Sequence, residues 1–188
     1  PNKLFFVGKF FIEGKQNFPK NLWIGLKYFE ESMSYDSIDS IVYYCRMYID
    51  GVEIPRDIAK SKKILTKYLN RNDPRILFLY GKILKKQNNC TGALTFFENS
   101  AKAGNIESIY NYGKMLFNGE CCKKNPKEAL KYLNISSRNG HLKSRTFINI
   151  FNEMTHNFDW FYNMQSEAQY VIIKNIQNGK QNNFSLSY

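Results

Sequence analysis

Apolar residues recur along the chain at helical spacing, and the same arrangement returns four times. Around a small anchor residue, apolar side chains stand four positions before, one before and three after. Because an α-helix turns by about 100° per residue, these three positions share one face of a helix. The anchors are Gly8, Cys45, Gly81 and Gly113, separated by 37, 36 and 32 residues. Such a period has room for two helices and two turns.

A second helix is predicted in each copy. It carries a small residue followed three and four positions later by two apolar residues, which lets it pack over the first helix. These small residues are Gly25, Ser61, Ala93 and Ala129. Eleven positions further on stands a residue type that tolerates the left-handed conformation at a helix end. These predicted terminators are Asp36, Asn72, Gly104 and Gly140.

The predicted fold is all-α, a right-handed α/α solenoid of about four helical hairpins in one domain over residues 1–176. We expect the repeats at about 4–40, 41–76, 77–108 and 109–144. Residues 145–176 follow the pattern only weakly and are more polar, as the end of a solenoid requires, so we predict an irregular cap there. Residues 177–188 are predicted to form a polar tail.

These residues resemble Sel1-like repeats, a tetratricopeptide-related family of α/α hairpins. The family pattern places Leu-Gly-x-x-Tyr on the first helix and Asp/Asn-x-x-x-Ala at the start of the second. The third copy matches with Gly81 and Ala93, and the fourth with Gly113, Asn125 and Ala129. The resemblance implies a protein-binding scaffold or adaptor, because members of the family mostly assemble complexes.

The residue after each anchor is predicted to line the concave surface, since it lies nearly opposite the apolar face of the first helix. These residues are Lys9, Arg46, Lys82 and Lys114. We predict that they form a basic groove for an acidic peptide or helix. The position two before the anchor adds Phe6, Tyr43, Leu79 and Asn111 near the same face. The simpler alternative is a lysine-rich surface that only contacts solvent.

The charge of the chain favours acidic partners. Lys and Arg total 27 against 16 Asp and Glu, a net charge of +11, and the pI is near 9.4. This leaves single-stranded RNA as a rival ligand, because some helical-hairpin arrays read RNA base by base. A third alternative is a rigid spacer or regulatory module. Since the chain begins at Pro1, we expect a fragment of a larger protein.

Catalysis is not expected from this sequence. The two histidines, His141 and His156, have no Cys, Asp or Glu at metal-ligand spacing. Phosphate-cradling loops and nucleophile motifs are missing from the sequence as well. We therefore predict neither a metal, nor a cofactor, nor an enzymatic activity.

The cysteines are predicted to be buried free thiols in a reducing compartment, because they lack CxxC spacing. They are Cys45, Cys90, Cys121 and Cys122. We accordingly expect a cytoplasmic location, with the lumen of the endoplasmic reticulum as the alternative. No stretch approaches the ~20 apolar residues of a membrane span.

Overall fold

The computed structural model describes residues 1–15 and 17–153, and within these ranges the chain is helical without any strand. The helices follow one another as hairpins, and this confirms the predicted all-α helical-repeat solenoid. The hairpins are α1 (Asn2–Glu13) with α2 (Leu22–Ser34), α3 (Ile38–Asp50) with α4 (Ile58–Thr66), α5 (Pro74–Lys86) with α6 (Cys90–Lys102), and α7 (Ile106–Asn118) with α8 (Pro126–Arg138). A short 3-10 helix, Leu69–Arg71, follows α4.

The predicted end of the solenoid is only partly described. Residues 142–153 are helical. The rest of the predicted cap, from residue 154, lies outside the described residues together with His156 and the predicted tail 177–188. Among the described helices, none is long and apolar enough to cross a membrane.

Polar side chains and left-handed residues set the helix ends. Asp57, for example, caps α4, because its carboxylate accepts a hydrogen bond from the Lys60 N–H at 2.8 Å. All four predicted terminators, from Asp36 to Gly140, have a positive φ, between 51° and 87°. The signal found in the sequence therefore marks the backbone reversal between successive hairpins.

Small anchor residues let the two helices of a hairpin approach each other closely. A Cβ atom added to Gly81 would lie 2.8 Å from the Phe97 ring. A Cβ atom on Gly8 would meet Phe29 at 2.9 Å. In the second hairpin the anchor is Cys45, which is fully buried beside the Ser61 carbonyl. Each second helix thus packs its apolar residues directly onto the backbone of the first.

Buried serines connect successive hairpins. Ser100 on α6 donates a hydrogen bond to the carbonyl oxygen of Pro74 at 2.6 Å, and Ser108 on α7 donates to Ser100 at 2.6 Å. Ser40 and Ser32 make the equivalent contact at 2.8 Å between the first two hairpins. These hydroxyls satisfy one another inside the junctions, where an unpaired polar group would be costly.

The junction between the second and third hairpins is different. Tyr68 and Ile76 occupy the positions that serines hold at the other junctions, and α4 has 9 residues where the other second helices have 13. The chain continues through the 3-10 helix and reverses at Asn72, whose φ is 51°. A bulky aromatic side chain at this position replaces the compact pair of hydroxyls.

The expectation of four free thiols is wrong for two cysteines. Cys90, at the start of α6, forms a disulfide with Cys121, in the turn before α8. They are 31 residues apart, about one repeat, and stacking of the third and fourth hairpins brings their Cα atoms to 5.9 Å. Cys45 and Cys122 are free thiols. Burial raises the pKa of the Cys45 thiol to about 12.

Replacing Gly81 by valine tests the close helix approach. We expect Gly81→Val to lower the free energy of unfolding by at least about 2 kcal/mol, because the new side chain would overlap the Phe97 ring. Urea unfolding followed by circular dichroism measures the change. The matched control is Lys86→Val, which introduces the same side chain at an exposed position of the same helix. Equal stability of the two variants would contradict this packing.

Reduction of the disulfide should destabilise the protein. Opening the cross-link frees a loop of about 30 residues in the unfolded chain, an effect on the order of 3–4 kcal/mol in the chain-entropy model. We expect the melting temperature to fall by roughly 5–10 °C, both with a reductant and in Cys90→Ser. A Cys122→Ser variant controls for loss of a thiol. Alkylation of four cysteines in the unreduced, denatured protein would show that no disulfide forms.

Candidate functional site

The four predicted basic residues differ in exposure. They follow the anchors on α1, α3, α5 and α7, and α3 contacts both α1 and α5. Lys9 and Lys82 are half-buried, whereas Arg46 and Lys114 are exposed. We call the surface formed by these four residues the first-helix face.

Lys82 is paired with an acid of the preceding hairpin. Its ammonium group lies 2.7 Å from the Asp50 carboxylate and 5.8 Å from the centre of the Phe78 ring. Asp50 stands five residues after the anchor Cys45. The charge of Lys82 is therefore neutralised within the protein, and this ion pair helps to connect α5 to α3.

Lys9 also has an acidic neighbour. Glu13, five residues after the anchor Gly8, lies 3.7 Å from the Lys9 ammonium group and 2.8 Å from that of Lys15. The hydrogen bond from Lys15 lowers the pKa of Glu13, and the positive charge of Lys9 acts in the same direction. Glu13 further accepts a hydrogen bond from the Tyr43 hydroxyl at 3.4 Å.

Arg46 and Lys114 have no ion pair among the residues that the structure describes. In the third hairpin, the position equivalent to Glu13 and Asp50 is the exposed Lys86. Glu120, in the turn after α7, is paired with Lys85 at 2.7 Å. That contact lowers the pKa of Glu120, with a smaller contribution from Lys114. Lys85 and Lys114 therefore both act on one carboxylate.

The position two before the anchor does not form a row of exposed side chains. Leu79 is fully buried, whereas Phe6 is 52% exposed. Tyr43 is half-buried, with its ring 5.2 Å from that of Phe29, and burial raises the pKa of its hydroxyl. Asn111 is half-buried and donates a hydrogen bond to the Glu107 carbonyl oxygen at 2.6 Å. Tyr43 is thus held by packing, and Asn111 by its own helix.

Sequence analysis missed the acids that accompany the basic residues. The signal was present, because Glu13 and Asp50 occupy the same position of their repeats. Within the described part of the chain, no three His, Cys, Asp or Glu residues are grouped to hold a metal ion. His141 packs on Tyr110 and contacts Ser144 and Glu107 at a repeat junction. The absence of catalysis stays a prediction.

Lys82 and Lys114 should differ in their effect on stability. We expect Lys82→Ala to lower the free energy of unfolding by up to about 1 kcal/mol, since it removes the partly buried contact with Asp50. Lys114→Ala is the control and should change stability by less than about 0.5 kcal/mol, because this side chain is exposed. Urea titrations measure the free energy of unfolding of both variants. Equal losses would contradict the unequal roles assigned to the two lysines.

Comparison with known proteins identifies two of the repeats. The model of the Sel1 repeat family matches residues 38–67 and 106–141. The first match covers α3 and α4, and the second covers α7 and α8. No curated protein matches the sequence.

Solved structures share the fold. A Sel1 repeat protein from Oxalobacter formigenes superimposes with a TM-score of 0.68 and 20% identity, over 78% of this chain and 61% of that protein. A protective antigen present in uropathogenic Escherichia coli strains, which displays an SLR fold, superimposes with a TM-score of 0.63 and 18% identity, over 77% of this chain and 32% of that one. Two repeats of this chain thus match the Sel1 repeat, and its helical-repeat fold is shared with Sel1 and SLR proteins of known structure.

Proposed function

We propose that this chain is a protein-interaction scaffold that binds an acidic peptide or helix on its first-helix face. The observation that carries the proposal is the exposure of Arg46 and Lys114 without an ion pair among the described residues. Sel1-like repeats are typically protein-interaction scaffolds, and this supports a protein as the ligand.

The first-helix face is not uniformly basic, and the binding site that we propose is the part without neutralising acids. Lys82 and Lys9 have carboxylates within 4 Å. Towards α7, Lys85 and Lys114 both act on the carboxylate of Glu120, and Lys86 is exposed. Two basic side chains here, Lys86 on α5 and Lys114 on α7, thus have no ion pair among the described residues. An acidic ligand would bind there and extend towards Arg46, since opposite charges direct the orientation of a complex.

Single-stranded RNA is the second candidate ligand. Recognition of unpaired bases uses aromatic rings on which the bases stack. On this face Tyr43 is half-buried between Phe5 and Phe29, and Leu79 belongs to the core. The charges support either ligand, whereas among the described residues at this position only Phe6 is an open aromatic ring, which favours protein. A structural spacer without a ligand is the third candidate.

The cellular compartment in which the protein is found is also part of what we propose. A cytoplasmic location stays a prediction. The disulfide between Cys90 and Cys121 supports the alternative, an oxidising compartment such as the lumen of the endoplasmic reticulum. Cytosolic thiols are kept reduced by glutathione and thioredoxin, so persistent disulfides are rare there.

Charge reversal tests the first-helix face. We expect the double variant Arg46→Glu/Lys114→Glu to bind a fluorescein-labelled, glutamate-rich helical peptide at least about tenfold more weakly by fluorescence anisotropy, because both side chains would repel it. The control, Lys63→Glu/Lys67→Glu, makes the same change of charge at exposed positions of the second hairpin and should bind normally.

Two results would count against this assignment. One is equal affinity of the double variant and the unaltered protein for the peptide. The other is tighter binding to oligouridylate than to the peptide, with a steep dependence on salt, since this would favour the RNA alternative.

A further inference from the structure

A second basic surface lies on the outer side of the fourth hairpin, away from the residues of the first-helix face. Lys127, Lys131, Ile135 and Arg138 fall within about 80° on one side of α8, because their spacing follows the helical period. All four are exposed. Their side of the helix is opposite the one that buries Ala129, Leu133 and Ser136. We call these four residues the outer face of α8.

The positive charge of this surface is largely uncompensated. Residues 121–140 contain five basic side chains and one acidic one, Glu128. The Glu128 carboxylate accepts a hydrogen bond from the Asn125 side chain at 2.7 Å, within the cap of α8. Lys127, Lys131 and Arg138 have no ion pair among the described residues. Their charges are available to a ligand.

A shallow, partly apolar recess lies among these charges, along one side of α8. It has a volume of about 520 Å³ and is lined by Asn125, Lys127, Glu128, Lys131, Tyr132 and Ile135. Ile135 is 46% exposed. The Tyr132 ring is held edge-on against Tyr112, with 4.9 Å between the ring centres. The recess therefore has a rigid aromatic side and an aliphatic side next to two lysines.

The other second helices lack this combination. At the positions equivalent to Lys127, Lys131, Ile135 and Arg138, α6 has Thr91, Thr95, Asn99 and Lys102. The single lysine there is paired with Glu98 at 2.6 Å. On α4 the same positions include Lys63 and Lys67 but also Ala59 and Asn70. Among the four second helices, it is α8 that combines a basic stripe with an exposed aliphatic residue.

We propose that the outer face of α8 binds an acidic amphipathic helix of a partner protein. Carboxylates four and then seven residues apart on one side of the ligand helix would pair with Lys127, Lys131 and Arg138, which have that same spacing. One aliphatic side chain of the ligand would enter the recess and contact Ile135 and Tyr132. This binding surface is separate from the first-helix face and does not depend on it.

The shape and composition of the recess favour a peptide over other polyanions. A phosphate backbone has no apolar group to place against Ile135. An anionic bilayer is a broad surface, and binding to it requires a face of apolar side chains, whereas the outer face of α8 offers one aliphatic side chain, Ile135. A helix that carries both carboxylates and a leucine satisfies the charges and the recess together.

Anisotropy titrations with a labelled 18-residue peptide test the proposal. The peptide has glutamates at i, i+4 spacing and leucines on an adjoining stripe. We expect Lys127→Glu/Lys131→Glu to weaken binding at least about tenfold, and Ile135→Ser to weaken it roughly threefold to tenfold. Lys63→Glu/Lys67→Glu, with the same change of charge at exposed positions of α4, should bind normally. Thermal melts establish that each variant is folded.

The competing ligands give distinct outcomes. The proposal is overturned if a leucine-free peptide of equal charge binds as tightly, or if Ile135→Ser has no effect. Preferential binding of oligouridylate or phosphatidylserine vesicles to this face would overturn it as well. Peptide binding that is lost only in Arg46→Glu/Lys114→Glu would contradict this surface and leave the first-helix face as the site. Loss only in the α8 variants would support this surface, and the first-helix face would then be judged by its own test with the glutamate-rich peptide.

Discussion

The close contact between the two helices of each hairpin is the constraint on which the rest of the structure depends. At Gly81 and Gly8 there is no room for a Cβ atom, because Phe97 and Phe29 occupy that space. A short hairpin cannot bury its apolar residues alone, so its stability comes from this contact and from stacking on the next hairpin. The large apolar side chains on one helix and the small residues on the other are therefore both required for the same contact.

Successive hairpins are held together by polar contacts, in contrast to the apolar packing within each hairpin. Ser100 and Ser108 join the third and fourth hairpins through buried hydroxyls, and the disulfide between Cys90 and Cys121 adds a covalent connection at the same junction. Between the second and third hairpins, Tyr68 takes the place of a serine, and the ion pair of Lys82 with Asp50 contributes at the surface. The junctions of one solenoid are thus held by different interactions.

The placement of acidic and basic residues on the stacked hairpins also decides which charges are available to ligands. In the first two hairpins, the acids five residues after the anchors, Glu13 and Asp50, neutralise basic residues, as Asp50 does for Lys82. In the third hairpin Lys86 replaces the acid, and α8 carries a single acid, Glu128, that is engaged with Asn125. Uncompensated positive charge therefore accumulates around the fourth hairpin, on its first helix and on its second. Both proposed binding surfaces follow from this uneven distribution.

The sequence by itself determined the helical hairpins, their anchors and the residues that end their second helices, because these depend on spacing along one helix and on the local backbone preferences of Gly, Asn and Asp. Contacts between repeats required the tertiary structure. The repeat period places Cys90 and Cys121 at neighbouring levels, but their bonding distance depends on how the hairpins stack. Likewise, the pairing of Lys82 and the burial of Leu79 depend on how far α5 is turned towards α3, and helical periodicity carries no information about that rotation.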